Sequence, residues 1–374
     1  MTDKLSLPAL ATAHSHAFQR AMRGDAQRAS GATTDDFWSW RTAMYTLADS
    51  LTPESIYEIS RVAYRELYLA GVRTVGEFHY VHHQSGGTPH DDRTIMADQV
   101  IRAARAENLR IGLFRVIYAR AGAGREPEGA QRRFCDPNLE TSFADIERLE
   151  KRWADDDGVR IGVAAHSVRA VPPAYWKQIA AFAAAKDMVF HAHVAEQPAE
   201  ITACLNETKR RPVELLADEG ALGPKFVAVH ATHLEAHEAT LLGQARAIAC
   251  ICGTTERDLG DGLPNVSALR AANVRLCPGV DSHVMTDPLE DLRCIELGER
   301  LRTGRRLAVR SDERTPAEEL LLMGTKIASE ACGFSDPGGF VEVDTAVPEL
   351  QLVSKDNLID AIIYSGSTRI FRQG

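Results

Sequence analysis

The sequence predicts an α/β chain closed into a (β/α)8 barrel, and three observations carry that expectation. Short β-branched or apolar runs alternate with longer helical patterns about eight times, as repeated βα units around a parallel sheet would. Its 374 residues accommodate one closed α/β barrel plus a small appendage. No glycine-rich phosphate-binding turn follows the first run, which weighs against an open doubly wound sheet.

The strand-like runs span residues 7–13, 72–78, 110–118, 159–165, 188–194, 226–231, 247–252 and 274–280. The helix over 53–70 is the best marked, with Thr52 as N-cap, Pro53 at its first position and Gly71 just past its end. Residues 91–107, 139–152, 172–186, 211–219, 235–244 and 288–301 show the apolar spacing of helices laid on a sheet. Two long loops are predicted: 21–52, carrying the cluster FWSW at 37–40, and 121–137, rich in Gly, Arg and Glu. Loops of that length in a compact domain serve as lids or binding loops. The pattern loosens after Arg306, with a helix over 316–332 and a Gly/Pro-punctuated tail ending in a strand-like 360–364. The expected division is a barrel over 7–306 and a C-terminal helix with a short tail over 307–374.

Composition narrows the function. With 43 Lys+Arg against 52 Asp+Glu the net charge is -9, so no basic excess exists to grip a phosphate backbone or an anionic lipid surface. Nucleic acid and membrane are therefore not expected partners. The 7 cysteines are odd in number, lack paired zinc-ribbon spacing and fall partly in apolar runs, as small buried hydrophobes of a reduced compartment do. The start, MTDKLSLPALATAHSH, has no basic, apolar and cleavable leader, and no apolar run is long enough to span a bilayer. A cytoplasmic location is expected.

Titratable residues gather at the C-terminal ends of the predicted strands, the rim on which barrel enzymes build their sites. The first run ends in His14-Ser15-His16, and side chains two apart on a strand project to one side, so both imidazoles reach one ion. The fifth run ends in His191-Ala192-His193 with Glu196 three residues on, the sixth at His230, and the eighth in Asp281 before Ser282-His283. Nitrogen and carboxylate oxygen at one point suit Zn2+, with Fe2+ or Mn2+ as alternatives. A single His-x-His is more often a hydrogen-bonded pair, so the weight rests on the combination. One imidazole of the second pair suffices, and His193 is better placed than His191 relative to Glu196. His233, His237 and His283 read as supporting or surface residues, and His82, His83 and His90 as loop histidines. Cys250 and Cys252 read as strand packing, and Asp155, Asp156 and Asp157 as a solvated helix end.

The segments HSHAFQRAMRG (14–24), DDFWSWRTAMY (35–45), GEFHYVHH (76–83), AHSVRAVP (165–172), HAHVAEQ (191–197), VHATHL (229–234), TTERDLGDG (254–262) and PGVDSHV (278–284) together resemble the amidohydrolase superfamily and, within it, the formimidoylglutamate deiminase branch. The likeness runs from about Leu7 to Arg306. It implies a metal-dependent hydrolase barrel that removes ammonia from N-formimidoyl-L-glutamate in histidine degradation, leaving N-formyl-L-glutamate. His14, His16, His193 and Asp281 would hold one divalent ion per chain. Glu196, His230 and Asp281 would be catalytic, and Gln19, Arg41, Tyr80, His166 and Arg169 would bind the substrate. A substrate with two carboxylates calls for cations, and Arg is their usual bidentate partner. The resemblance also implies a homodimer. Other readings are an aminohydrolase for another amidine or amino-heterocycle, and a catalytically inactive paralogue that binds a diacid.

The chain departs from the branch in two places. Members carry several tens of residues before the first barrel strand, which join the C-terminal segment in a small β-sandwich. Here about six residues precede Leu7 and the tail 338–374 lacks the usual G-x-x-A-D-hydrophobic run, so a reduced or missing β-sandwich is expected, with 307–374 its remnant. Gly253 follows Cys252 where the branch has proline, so an altered seventh loop is expected.

Overall fold

The computed structural model describes residues 4–29 and 35–372. Among the described residues there are ten strands: β1 (Lys4–Pro8), β2 (Leu10–Thr12), β3 (Val72–His79), β4 (Arg110–Ile117), β5 (Val159–Ala165), β6 (Phe190–Val194), β7 (Phe226–His230), β8 (Ile248–Ile251), β9 (Arg275–Pro278) and β10 (Phe340–Asp344). β2 to β9 form one parallel sheet in chain order. Its two ends meet: Ala13 N–H donates to Pro278 O, and Ser15 and Asp281 form a parallel bridge. The strands are buried along nearly their whole length, as parallel strands covered on both faces must be.

The connections are helical: α1 (Phe37–Ser50), α2 (Pro53–Leu69), α3 (Ile95–Ala106), α4 (Leu139–Arg152), α5 (Pro173–Ala185), α6 (Pro198–Thr208), α7 (Pro212–Asp218), α8 (Ala236–Gln244), α9 (Gly253–Leu259), α10 (Val266–Ala271), α11 (Pro288–Thr303), α12 (Pro316–Leu322), α13 (Ala328–Ala331) and α14 (Leu358–Ser365). Thr52 caps α2, accepting from Ser55 N–H at 3.2 Å while Ser55 Oγ accepts from Thr52 N–H at 2.8 Å. α12 continues through a π turn (Met323–Ile327) into α13, and Cys332 then enters the barrel floor. Gly76 and Gly112, side by side on β3 and β4, admit it, because a side chain on either would overlap the backbone of Ala13 or Cys332. No helix among the described residues is long and apolar enough to cross a membrane.

Three sequence expectations are corrected. The predicted first strand, 7–13, is broken after Pro8: β1 leaves the barrel and pairs antiparallel with β10, and only β2 joins the barrel sheet. The predicted loop 21–52 contains α1, which Asp36 caps by accepting from Trp38 and Ser39 N–H; residues 30–34 of that loop lie outside the described residues. The strand-like 360–364 is helical, with Ile362 and Ile363 of α14 buried and the helix lying against α11 and α12. A run of apolar residues without a period fits a buried helix as readily as a strand.

Candidate active site

Strand alternation sends His14 and His16 to one side of the chain beyond β2, and β6 delivers His193 to the same point. His14 Nε2 lies 3.2 Å from both His16 Nε2 and His193 Nε2. The proton positions follow from the partners. His16 Nδ1 donates to Phe78 O at 2.9 Å and His193 Nδ1 to His166 O at 3.0 Å, so the Nε2 atoms of the neutral rings are lone-pair acceptors. Burial lowers all three pKa values, His16 to about 3 with His14 adding to the effect, so the rings are neutral and the only proton left for the space between them is that of His14, whose Nδ1 has no partner. One proton can bridge only one of these contacts, whereas a cation satisfies all three Nε2 atoms. Asp281 Oδ1, 3.6 Å from His14 Nε2 and 3.5 Å from His16 Nε2, adds an anionic oxygen to the same point. This donor set fits a divalent metal.

A second group of atoms adjoins the first. His230, Cys252 and Asp281 bring ligand atoms within 4.8 Å of one another, but burial raises the Cys252 thiol well above its ordinary range and keeps it protonated. His230 at the end of β7 faces three carboxylates: Nδ1 is 3.2 Å from Glu256 Oε1, and Nε2 is 3.7 Å from Glu196 Oε1 and 3.8 Å from Asp281 Oδ2. Burial alone would lower its pKa, yet these anions raise it to about 10 and make it an imidazolium. Asp281 is lowered despite burial by the hydrogen bond of His14 and the neighbouring imidazoles. Glu196 is raised by burial more than His230 lowers it. Two carboxyls that face the same imidazole nitrogen are thus pushed in opposite directions, the pattern of an acid and a base with divided roles. The backbone here is held in the left-handed region at non-glycine residues: φ is +52° at Ala195, +69° at His230, +53° at Ala231 and +54° at Asp281. Such conformations cost roughly 1–3 kcal/mol each and persist where surrounding structure enforces them.

The remaining expected binding residues line the same cavity, of about 190 Å3. Gln19 Nε2 donates to Tyr80 Oη at 2.9 Å, leaving Gln19 Oε1 buried without a partner. His166, neutral because burial and Arg169 lower its pKa, stands against Tyr80 and His193. Arg41 lies over Trp38 at 4.4 Å, and Arg169 Nη1 donates to Tyr118 Oη at 3.1 Å. All the expected site residues therefore meet around this cavity, His14 sitting just behind its wall.

Other predicted assignments resolve as follows. His191 points to the barrel floor, where its ring stacks on Phe114 at 3.7 Å and Nε2 meets Ala331 O at 2.8 Å. His237 is exposed beside Glu214, while His233 Nε2 donates to Asp261 O at 2.7 Å. His82 and His83 lie after β3 but are buried, on Val116 O and Asp136. Sequence reasoning missed Glu256, which orients His230, and Glu77, which accepts from Ser15 Oγ at 2.6 Å, Ala17 N–H at 2.9 Å and Tyr64 Oη at 3.0 Å. His283 Nε2 meets Ser15 Oγ at 2.8 Å, so both sides of Ser15 lock the turn between the two histidines. Both glutamates stand inside the quoted segments TTERDLGDG and GEFHYVHH, the only signal that marked them.

Known proteins share this chain's pattern. Residues 5–346 match the Amidohydrolase family. The formimidoylglutamate deiminase of Pseudomonas aeruginosa is 36% identical over 380 residues, spanning 98% of this chain and 82% of that protein. An amidohydrolase from Brucella melitensis superposes with a TM-score of 0.88 at 32% identity, covering 98% of this chain and 84% of that one. An adenosine deaminase from Xanthomonas campestris with bound zinc has the same fold, with a TM-score of 0.81 at 21% identity over 99% of this chain and 78% of that one. The chain belongs to the amidohydrolase family, whose members bind a divalent metal, and is a hydrolase of C–N bonds.

Proposed function

We propose that the protein hydrolyses N-formimidoyl-L-glutamate to N-formyl-L-glutamate and ammonia, a step of histidine degradation. One observation carries the reading: a single cavity joins a histidine cluster that demands a cation to a wall bearing two guanidiniums, Arg41 and Arg169. An amidine with two carboxylates needs both features, and an uncharged heterocycle needs only the first. The deiminase relative supports the same substrate.

His14, His16, His193 and Asp281 hold one divalent ion, with Zn2+ favoured by the nitrogen and oxygen donors and Fe2+ or Mn2+ as alternatives. The bound ion supplies Lewis acidity, lowering the pKa of a water molecule beside it. Asp281, ionised, accepts the proton that this water gives up as its oxygen adds to the formimidoyl carbon. The His230 imidazolium, oriented by Glu256, donates to the adding oxygen and stabilises the tetrahedral intermediate. Glu196 carries a proton to the imino nitrogen, and the proton held by Asp281 then reaches the same nitrogen, which leaves as ammonia when the C–N bond breaks; the hydroxyl proton left on the water oxygen, now the formyl oxygen, restores Glu196. Gln19, Arg41, Tyr80, His166 and Arg169 orient the substrate.

The test is incubation of zinc-loaded protein with N-formimidoyl-L-glutamate, assaying ammonia and N-formyl-L-glutamate beside a panel of formimidoyl amino acids, purines and triazines. Equimolar products with preference for the glutamate derivative are expected. Preference for an uncharged heterocycle would replace the substrate, and stoichiometric metal with no turnover of any amidine would indicate an inactive diacid-binding paralogue.

A further inference from the structure

We propose that Tyr45 is a further substrate-binding residue, whose hydroxyl donates a hydrogen bond to the same substrate carboxylate that Arg41 and Arg169 attract. This rests on the dicarboxylate reading above and follows from counting hydrogens. Gln131 Oε1 accepts from Glu128 N–H at 3.0 Å, which fixes the amide so that Nε2 is the end facing the tyrosines. From there Nε2 donates to Tyr45 Oη and to Tyr118 Oη, each at 3.2 Å. Tyr118 Oη also accepts from Arg169 Nη1 at 3.1 Å, so both of its lone pairs are taken. Its own hydrogen goes to Tyr45 Oη, 3.5 Å away. Tyr45 Oη then accepts twice, and its remaining hydrogen has no acceptor among the described residues. The Tyr45 ring lines the cavity, so that hydrogen faces the space the substrate fills. Arg41 and Tyr45, one turn apart on α1, share a helix face, with the Arg41 guanidinium carbon 5.4 Å from the Tyr45 ring centre. A donor with no protein acceptor beside two guanidiniums selects an anionic oxygen. Gln131 is the positioning residue that makes the direction unique.

The experiment compares wild type with Tyr45→Phe and Gln131→Leu on N-formimidoyl-L-glutamate and on its α-amide and γ-amide analogues, with circular dichroism to show that each variant folds. Tyr45→Phe keeps the ring and its stacking on Arg41. A hydrogen bond to a charged group predicts a KM about tenfold higher, with kcat within about twofold. The penalty falls to about twofold or less on one of the two amide analogues, whichever lacks the gripped carboxylate. Gln131→Leu raises KM about threefold in wild type and adds nothing to Tyr45→Phe, because its effect passes through that hydroxyl. An unchanged KM in Tyr45→Phe, or equal penalties on all three substrates, overturns the inference while the substrate assignment stands. Absence of wild-type turnover on any of the three overturns the substrate assignment itself.

Discussion

Two buried polar clusters in this molecule use similar residues to opposite ends. At the rim beyond β2, β6 and β9, three neutral imidazoles turn their Nε2 atoms to one point, that of His14 lying 3.2 Å from the other two, and the carboxylate of Asp281 is 3.5–3.6 Å from His16 and His14. Behind β4, Asp136 Oδ2 lies 2.7 Å from Arg115 Nη1 and accepts from Ser142 Oγ at 2.7 Å, while Oδ1 meets Arg93 Nη2 at 2.6 Å and His83 Nε2 at 3.1 Å. Asp145 closes that network against Arg115 at 3.1 Å and Arg93 at 3.0 Å. In the second cluster both carboxylates are paired with guanidiniums, whereas in the first the ring nitrogens outnumber the protons between them. A buried carboxylate held by cations of the chain is structural; ring nitrogens converging with too few protons to bridge them are built around something that arrives from outside. The imbalance of donors and acceptors, rather than the number of charged groups, separates site from scaffold.

The largest effect expected from that contrast is on turnover. Glu196→Gln keeps the shape of the side chain and removes the proton it carries, so kcat should fall about 10^3-fold while bound metal and the thermal midpoint stay as in wild type. Metal analysis beside the kinetic assay checks this, and full activity in the variant would remove Glu196 from the mechanism. Next comes the ion itself. Because only the rim cluster needs a cation, chelation should abolish activity and lower the folding stability by RT ln(1 + [L]/Kd), about 4 kcal/mol at a thousandfold excess over Kd. Calorimetric scans with and without chelator measure it; equal midpoints would show that the histidines stand stably without an ion.

The rim cluster was legible in the sequence because its grammar is local. His14 and His16 are two apart on a strand, and the period of 2 places them together whatever the rest of the chain does. Their long-range partners were legible only as members of strand ends or of quoted segments. Glu256 lies on α9, past the end of β8, where nothing in the sequence says which way its turn faces; only packing aims it at His230. Glu77 reads as a polar interruption in an apolar strand, and its purpose depends on Ser15, which comes to it from the end of the neighbouring strand β2, 62 residues away in the chain. The scaffold cluster was invisible for the same reason, since His83, Arg93, Arg115, Asp136 and Asp145 come from five stretches with no motif among them. The misread tail is a different case: Ile359, Ile362 and Ile363 stand at the i, i+3, i+4 spacing of a helix face, a signal lost when the short run 360–364 is read alone, and the helix packs beside α12.

The scaffold cluster should respond in stability and not in turnover. Asp136→Asn leaves Asp145 as the remaining anion beside buried Arg115, and loss of one partner from such a buried network costs about 3 kcal/mol. The pH dependence has a definite sign. Burial would raise the Asp136 carboxyl, but Arg115 and His83 hold it well below its ordinary range. The folded chain therefore binds fewer protons there than the unfolded chain, so its contribution is complete above the unfolded pKa near 3.9 and declines as pH falls toward the folded value. Denaturant midpoints of wild type and variant should differ most at pH 7 and converge on acidification below about pH 4. A gap that persists unchanged at pH 3 would mean the loss comes from packing rather than from charge.

The smallest effect marks the far end of the scale. Lys4 Nζ and Glu342 Oε2 meet at 2.7 Å across the β1–β10 pair, closer than any contact of the rim imidazoles, yet their side chains are 51% and 53% exposed. In water the attraction is screened, and holding two long side chains in one geometry costs entropy, so exposed pairs contribute about 0.2–1 kcal/mol. Lys4→Met should leave the denaturant midpoint nearly unchanged, and raising the salt should erase any difference that remains. Its backbone pairing with Asp344 is untouched by the substitution, so the small sheet should hold its register. A loss comparable to that of Asp136→Asn would show that burial is not what distinguishes the scaffold cluster, because the same charges at the same distance would then have the same effect in solvent as behind β4.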